Sequence, residues 1–377
     1  MSEVFDIAVI GAGVMGATAA LFLARGGMRV ALIDRGGICQ EASGVNAGTL
    51  TLHMTRAALI PHAMRGREMW LDAPNWLGMD VGARSAPGLS VAFTADERDM
   101  LEKRAAARRE AGAPITLITA AQAAEIEPGV NPSILAAAYC ALDGHVTAYL
   151  TGRAYRQALT AAGVTLFEGE AAAGIARESG AWAVRVGAGR VRATRIVLAG
   201  GVWLEEMLSW LGLTVPIRCL INQLVVTERL GPVMRSVLGI ANGLLSLKQF
   251  ENGTVLIGGG WQGRGDVVRG GVEAIPDNLI GNVRLARHTI PALGKARIAR
   301  IWLGLESETA DAMPAIGPLP GVPDAFVVGC VHSGYTSGPF MGRLLADIVL
   351  GVAETPHAFN PARLLADAGS SLQDSVA

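Results

Sequence analysis

The stretch VIGAGVMGATAALFLARGGMRVALIDR, residues 9–35, restricts the fold more than any other part of the chain. Residues 5–10 (FDIAVI) read as a short buried strand that stops abruptly at glycine. Gly11, Gly13 and Gly16 then form G-x-G-x-x-G, and the apolar spacing that follows predicts a helix. The first glycine of such a run permits a tight turn, the second lets backbone approach a pyrophosphate, and the third lets helix pack closely on strand. Val14 and Met15 fall at the helix N-terminus, where free amides and the dipole favour negative charge. Residues 29–34 (RVALID) predict a second strand, closed by Asp34 and followed by Arg35. A carboxylate in that place accepts hydrogen bonds from ribose hydroxyls and repels a 2′-phosphate. Strand, helix, strand and acid in register predict a dinucleotide site on an α/β sheet; a glycine turn serving packing alone is the competing reading.

The bulk numbers remove several function classes. A chain of 377 residues suits two domains of ordinary size. With 17% charged residues and a formal net charge of -1 there is no basic field to gather nucleic acid. Cys39, Cys140, Cys219 and Cys330 lie far apart without a C-x-x-C pair, which argues against zinc, an iron–sulfur cluster or a disulfide framework, so no metal is expected. A reducing, cytoplasmic setting fits this cysteine usage. Glu3 and Asp6 stand where an export signal would carry positive charge, and no run of about 18 apolar residues predicts a membrane span. Peripheral attachment to the inner membrane is left open, as is burial of an Ala- and Gly-rich surface against a partner subunit.

After the second predicted strand comes EASGVNAGTL (41–50), in which Ser43, Gly44, Asn46, Ala47 and Gly48 look built for close contact between backbone and a large flat ligand. An ordinary polar turn is the bland alternative. NAD enzymes of the simple kind usually continue with another helix and strand here. Further pieces follow in order: DGHV at 143–146, RIVLAGGVW at 195–203, NQLVVTE at 222–228, GTVLIGGG at 253–260, DAMPAIGPLP at 311–320 and VVGCVHSGYTSGPFMGRLLADIVLG at 327–351. Together with VIGAGVMG they make the sequence resemble the D-amino-acid-oxidase-like family of FAD-dependent amine oxidoreductases, over about residues 4–352.

The resemblance implies an α/β architecture: a Rossmann-like FAD-binding domain from 1–82, 143–216 and 306–368, a second α+β substrate domain on an antiparallel sheet from 83–142 and 217–305, and a polar tail at 369–377. FAD is expected to be held non-covalently. Ala199 and Gly200 end a buried strand beside the phosphates, and Ala172 falls where the family lends backbone to adenine. A strand over 326–331 would lead through Cys330, His332, Ser333, Gly334, Tyr335 and Thr336 into a helix whose N-terminus stabilises negative charge on the reduced flavin. Gly334 and Gly338 are expected to permit close backbone approach there. Covalent attachment through Cys330 is the disfavoured alternative. In the substrate domain, LSVAFTA predicts a strand, residues 94–113 a charged helix with a solvated face, and ENG (251–253) a hairpin turn.

The family's reaction oxidises a C–N bond, passing hydride to flavin N5 and leaving an imine that water hydrolyses, so the protein's task is to desolvate and orient the amine. In glycine-oxidase-like members an arginine in a GLRP segment pairs with the substrate carboxylate; here the segment reads GLES (304–307) and places Glu306 there. Arg300, Trp302, Gly304, Glu306, Asp311, Pro314 and Gly317 form a pattern more like the opine and D-hydroxyproline dehydrogenase branch, whose substrates are secondary amines carrying carboxylates. Glu306 would bind a cationic amine, or pair in burial with Arg300. His53 either faces the pocket or is a satisfied structural histidine. Lys248, Gln249, Trp261 and Gln262 are candidates for the pocket wall, and His145 for the domain junction. The resemblance favours a dehydrogenase with a companion redox subunit, over an oxygen-using glycine or D-amino-acid oxidase. A non-catalytic FAD-holding subunit and an NAD-linked dehydrogenase are the readings from other classes.

Overall fold

The computed structural model describes residues 4–267, 271–331 and 334–366; the expectations for His332, Ser333 and the 369–377 tail fall outside them. The opening stretch folds as β1 (Val4–Ile10), α1 (Val14–Arg25) and β2 (Val30–Asp34). β1 lies parallel to β2 on one side and to the strand Gly189–Leu198 on the other. Thr165–Glu168 and Ala325–Gly329 extend this parallel array at its two flanks. Both faces are covered, which is why residues 7–10 of β1 can be continuously apolar. Ile7 and Val9 pack towards α1 and the helices Ala148–Ala161 and Gly334–Val349, whereas Ala8 and Ile10 pack with Trp182, Leu204 and Leu208.

The second sheet has eight strands in the order Ile298–Glu308, Arg218–Thr227, Val255–Gly258, Ser246–Gln249, Val237–Ile240, Gly88–Ala92, Ala136–Cys140, Ile115–Thr119. Its neighbours run antiparallel except for Gly88–Ala92 beside Val237–Ile240. The expected hairpin forms at 250–254, with Gly253 at φ +87°. Leu89, Val91, Leu238 and Leu247 turn to a core with the helix Pro276–Thr289, leaving Ser90, Gly239 and Ser246 on the opposite face. This alternation is the period of two of a half-buried strand. The helix Ala95–Glu110, N-capped by Thr94 accepting from Glu97 N–H at 3.2 Å, buries Leu101 and Ala105.

Two expectations are corrected. The strand expected over 326–331 ends at Gly329, and Cys330 turns the chain at φ +60°, so the strand's alternation ends there. The strand Ile298–Glu308 is continuous, which puts Glu306 in the second sheet rather than at the start of a nucleotide-binding segment. Among the described residues no helix is long and apolar enough to cross a membrane.

Candidate active site

A cavity of about 860 Å³ runs between the two sheets. Its first part is the glycine cradle. Gly11 has φ +108°, and a Cβ there would run into the Ala199 carbonyl; a Cβ on Gly16 would run into the Gly11 carbonyl. These two glycines therefore close strand on turn and turn on helix. Gly13 differs, since a Cβ on it would meet only Ser43 Oγ at 3.4 Å, leaving its backbone bare towards the cavity. Val14, Met15 and Gly16 line the cavity as well, and Ser43 Oγ accepts from Val14 N–H at 3.0 Å. Asp34 accepts from the Ala12 and Gly36 amides at 2.6 and 2.8 Å, which fixes its carboxylate at the end of β2. Arg35 lies over the Trp203 ring at 3.5 Å and pairs with Glu41. Ala172, Ala199, Gly200 and Trp203 complete this end.

The next part is framed by the loop after β2 and by the C-terminal helix. Asn46, Ala47, Cys330, Gly334, Tyr335 and Thr336 all line it. Thr336 Oγ1 donates to the Thr49 carbonyl at 3.1 Å and accepts from Thr51 N–H at 3.3 Å, tying helix to loop. Tyr335 stacks on Trp70, whose indole N–H donates to the Tyr335 carbonyl at 2.7 Å. A Cβ on Gly44 would strike the Cys39 carbonyl, and one on Gly48 the Val146 carbonyl, so Gly44 folds the loop upon itself and Gly48 brings it against the 146–148 segment. Gly338 likewise makes room for Val14 of α1. Burial pushes the Cys330 thiol up to about 12, which leaves it un-ionised and poorly nucleophilic near neutral pH.

Beyond the loop the cavity opens into a polar chamber. Glu306 accepts from Asn222 Nδ2 at 2.9 Å, and Gln262 donates to Asn222 Oδ1 at 2.7 Å. His53 also lines the cavity, with Nδ1 3.0 Å from an Asp143 oxygen. Asp143 is 1% exposed and also accepts from Thr51 Oγ1 at 2.8 Å and Leu52 N–H at 2.9 Å. A carboxylate only accepts, so Nδ1 carries the imidazole proton and Nε2 is left as an acceptor. That Nε2 is buried and has no hydrogen-bond partner among the described residues.

Other sequence candidates stand apart from the cavity. Arg300 is exposed, on the same strand as Glu306 but opposite Val226, and does not line it. Trp261 donates its indole N–H to the Leu244 carbonyl at 2.7 Å. Gln249 braces the chain ahead of the strand Val237–Ile240, accepting from Val233 N–H at 2.9 Å. Lys248 is 1% exposed behind the wall, its Nζ 2.6 Å from Thr49 Oγ1, and burial pushes it down to about 7. His145, against Phe250, is pushed down to about 4 by burial and then by Lys248. Asp143 was legible only as part of DGHV; Asn222, in NQLVVTE, carried no signal of its role. Arg104 and Arg108, which line the cavity, sit in the charge run expected to be solvated.

A glycine cradle on a parallel sheet, sharing one cavity with a polar chamber walled by an antiparallel sheet, is the build of a dinucleotide-dependent redox enzyme. Comparison with known proteins specifies which nucleotide. Residues 6–348 match the family described as FAD dependent oxidoreductase (DAO), and the chain belongs to that family, with FAD as its cofactor. The NAD-linked reading is thereby set aside. Glycine oxidase of Geobacillus kaustophilus is 28% identical over 360 residues, 93% of this chain and 94% of that protein. An opine oxidase subunit of Agrobacterium tumefaciens is 27% identical over 351 residues, 88% of this chain and 89% of that protein. The crystal structure of the Geobacillus glycine oxidase matches with a TM-score of 0.86 at 25% identity, over 100% of both chains. L-proline dehydrogenase from P. horikoshii, at 22% identity and a TM-score of 0.87, covering 96% of this chain and 98% of that one, shares the fold.

Proposed function

We propose that the protein oxidises the C–N bond of an amino acid, favouring secondary amines that carry carboxylates, and works as the dehydrogenase subunit of a heteromeric complex. The observation that carries the reading is the continuity of the cavity: the bare backbone at Gly13 and the polar side chains His53 and Glu306 line one space. The likeness to glycine oxidase and to an opine oxidase subunit supports an amino-acid substrate, and the latter supports a companion chain. Gly13, Val14, Asp34, Ser43, Ala47 and Thr336 would hold the FAD. When bound, it supplies an acceptor for the hydride that leaves the carbon beside nitrogen, and water hydrolyses the imine.

The chain's own residues prepare the amine. Glu306, oriented by Asn222, is a carboxylate at the cavity that would accept a hydrogen bond from an ammonium group. His53 Nε2 takes the ammonium proton, because only the neutral amine has a lone pair to drive hydride departure. Asp143 holds the ring in the tautomer that makes this transfer available and stabilises the imidazolium formed. The test is turnover of secondary-amine amino acids with an artificial dye acceptor, alongside oxygen uptake. Dye reduction well above the rate of oxygen consumption is expected; peroxide formed as fast as substrate is lost would make the protein an oxidase instead.

A further inference from the structure

Beside the His53–Asp143 pair the cavity reaches the outer end of the second sheet. The loop that carries His53 runs on through Met54 to Thr55, whose carbonyl accepts from Arg108 Nε at 2.8 Å. This contact pins the helix Ala95–Glu110 over the strands Gly88–Ala92, Ala136–Cys140 and Ile115–Thr119, against which it packs. Burial and the like charge of Arg104 push Arg108 down to about 10, with the Asp143 carboxylate opposing them. Strand alternation sorts the two faces of the sheet here. Ala137 turns to the core shared with the helix Pro276–Thr289, and Ala138 turns to the helix Ala95–Glu110.

The space between that helix and the sheet is apolar. Leu101, Ala105, Ile115, Ala138 and Ala241 line the cavity and belong to one cluster, each of them 3% exposed or less. Three of the five are alanines. Protein interiors are close-packed, so a space bounded by methyl groups and open to the cavity is one that larger side chains would otherwise have filled. Gly239, on the strand beside Gly88–Ala92, gives room to Met54, whose terminal methyl would lie 3.2 Å from a Cβ there. The cations on this side turn to backbone: besides the Arg108 contact, Arg104, at an exposed position, donates from Nη1 to the Ala241 carbonyl. They form a rim above an apolar floor. His53 stands next to this lobe, its side chain 8% exposed and its Nε2 without a partner among the described residues.

We propose that this lobe is the side-chain pocket of the substrate site, so that the enzyme selects amino acids with an apolar side chain on the carbon that bears the nitrogen. This rests on the amine-oxidation reading above and adds the substrate class to it. An amine that meets His53 Nε2 has that carbon one bond away, and the apolar floor is the adjoining surface on which its side chain loses water. Apolar walls with a few convergent polar groups are the usual build of a small-molecule site. Leu101, Ala105 and Ala138 are specificity residues and take no part in breaking bonds. A charged side chain would forfeit its hydration here without gaining a partner on the floor.

The test uses the FAD-loaded protein and calorimetric titration without air. The ligands are 2-hydroxy acids, which keep the carboxylate and side chain of an amino acid and carry no nitrogen to oxidise. Glycolate, lactate, 2-hydroxybutyrate and 2-hydroxypentanoate lengthen the side chain one carbon at a time, and 2-hydroxyglutarate ends a similar arm in a carboxylate. Affinity is expected to rise roughly fourfold per added carbon. By contrast, 2-hydroxyglutarate should bind at least about tenfold more weakly than 2-hydroxypentanoate. Ala138→Leu fills the lobe and should end the gain at a shorter chain, whereas Leu101→Ala enlarges it and should carry the gain on to 2-hydroxyheptanoate. Opposite shifts cannot come from a general loosening of the fold, and FAD content reports that each variant is folded. An affinity that ignores chain length, a preference for 2-hydroxyglutarate, or a chain-length dependence that neither substitution moves overturns the pocket. Calorimetry needs no turnover, so the two readings fail separately. A protein that follows the predicted series but whose flavin no amine reduces loses the amine-oxidation reading alone. One that amines reduce, but whose affinity ignores the side chain, loses the pocket alone.

Discussion

His53 lines the cavity and has two nitrogens with different surroundings: Nδ1 faces the buried Asp143 carboxylate, and Nε2 is buried with no partner among the described residues. A base placed this way matters most when the substrate arrives protonated. His53→Ala is therefore expected to lower kcat/KM by about a hundredfold near neutral pH. The loss should shrink as pH rises towards the pKa of the substrate amine, with the flavin absorbance unaltered. A loss independent of pH would show that His53 only shapes the pocket. Lys248 makes a second prediction. Burial holds it near 7 against an ordinary 10.5, so the unfolded chain takes up its proton first as pH falls. Stability is lost between about pH 10.5 and 7 and stays level below, a contribution of several kcal/mol. Lys248→Met should raise the Tm at neutral pH, and the gain should narrow as pH approaches 10; thermal unfolding across that range checks it. At this scale the sequence was uneven. Gly11, Gly13 and Gly16 were readable because their spacing is local. The His53–Asp143 pair was not, because 90 residues separate its members. Arg104 and Arg108 sit at helical spacing with buried Leu101 and Ala105, a signal that the surrounding charges concealed.

The helix Gly334–Val349 packs against both α1 and α2 (Ile60–Leu71). Glycines permit the approach. A Cβ on Gly342 would strike the Met15 carbonyl and the Thr18 side chain, and one on Gly66 would strike the Thr336 carbonyl. Neither obstacle is the end of a flexible side chain, so the helices would have to move. Gly342→Val is expected to cost on the order of 3 kcal/mol and to lower FAD content, because displacement of α1 carries the glycine cradle with it. Chemical denaturation and the ratio of flavin to protein absorbance check both effects; a neutral substitution would mean that the helices adjust independently of the cradle. Elements of this kind were largely legible. Short apolar runs, helical spacing and turn residues placed β1, α1, β2, the hairpin around Gly253 and the helix Ala95–Glu110. What pattern could not show is which partner a glycine serves. At Gly44, Gly48 and Gly338 the space a Cβ would need is taken by the protein's own carbonyls or by Val14, which no spacing in the sequence announces. Cys330 shows the same limit, since a left-handed turn at a non-glycine residue leaves no mark in an apolar run.

As a whole, the molecule divides labour between its sheets. The parallel sheet presents a helix N-terminus and bare backbone, which suit a nucleotide of any redox class. The antiparallel sheet supplies the side chains that distinguish substrates, and those come from strands and a helix far apart in sequence. Cofactor class was therefore legible early, whereas the chamber needed the tertiary structure. The central claim is that one cavity brings FAD and an amino-acid amine together, and it is tested most directly by mixing the purified protein with substrates in the absence of air while watching the flavin band near about 450 nm, where oxidised FAD reports on itself. Secondary-amine amino acids with carboxylates should bleach the band within the dead time of ordinary mixing, and acids lacking the amine should not. A yellow band indifferent to every amine offered would contradict the account, leaving a protein that holds FAD without oxidising amino acids.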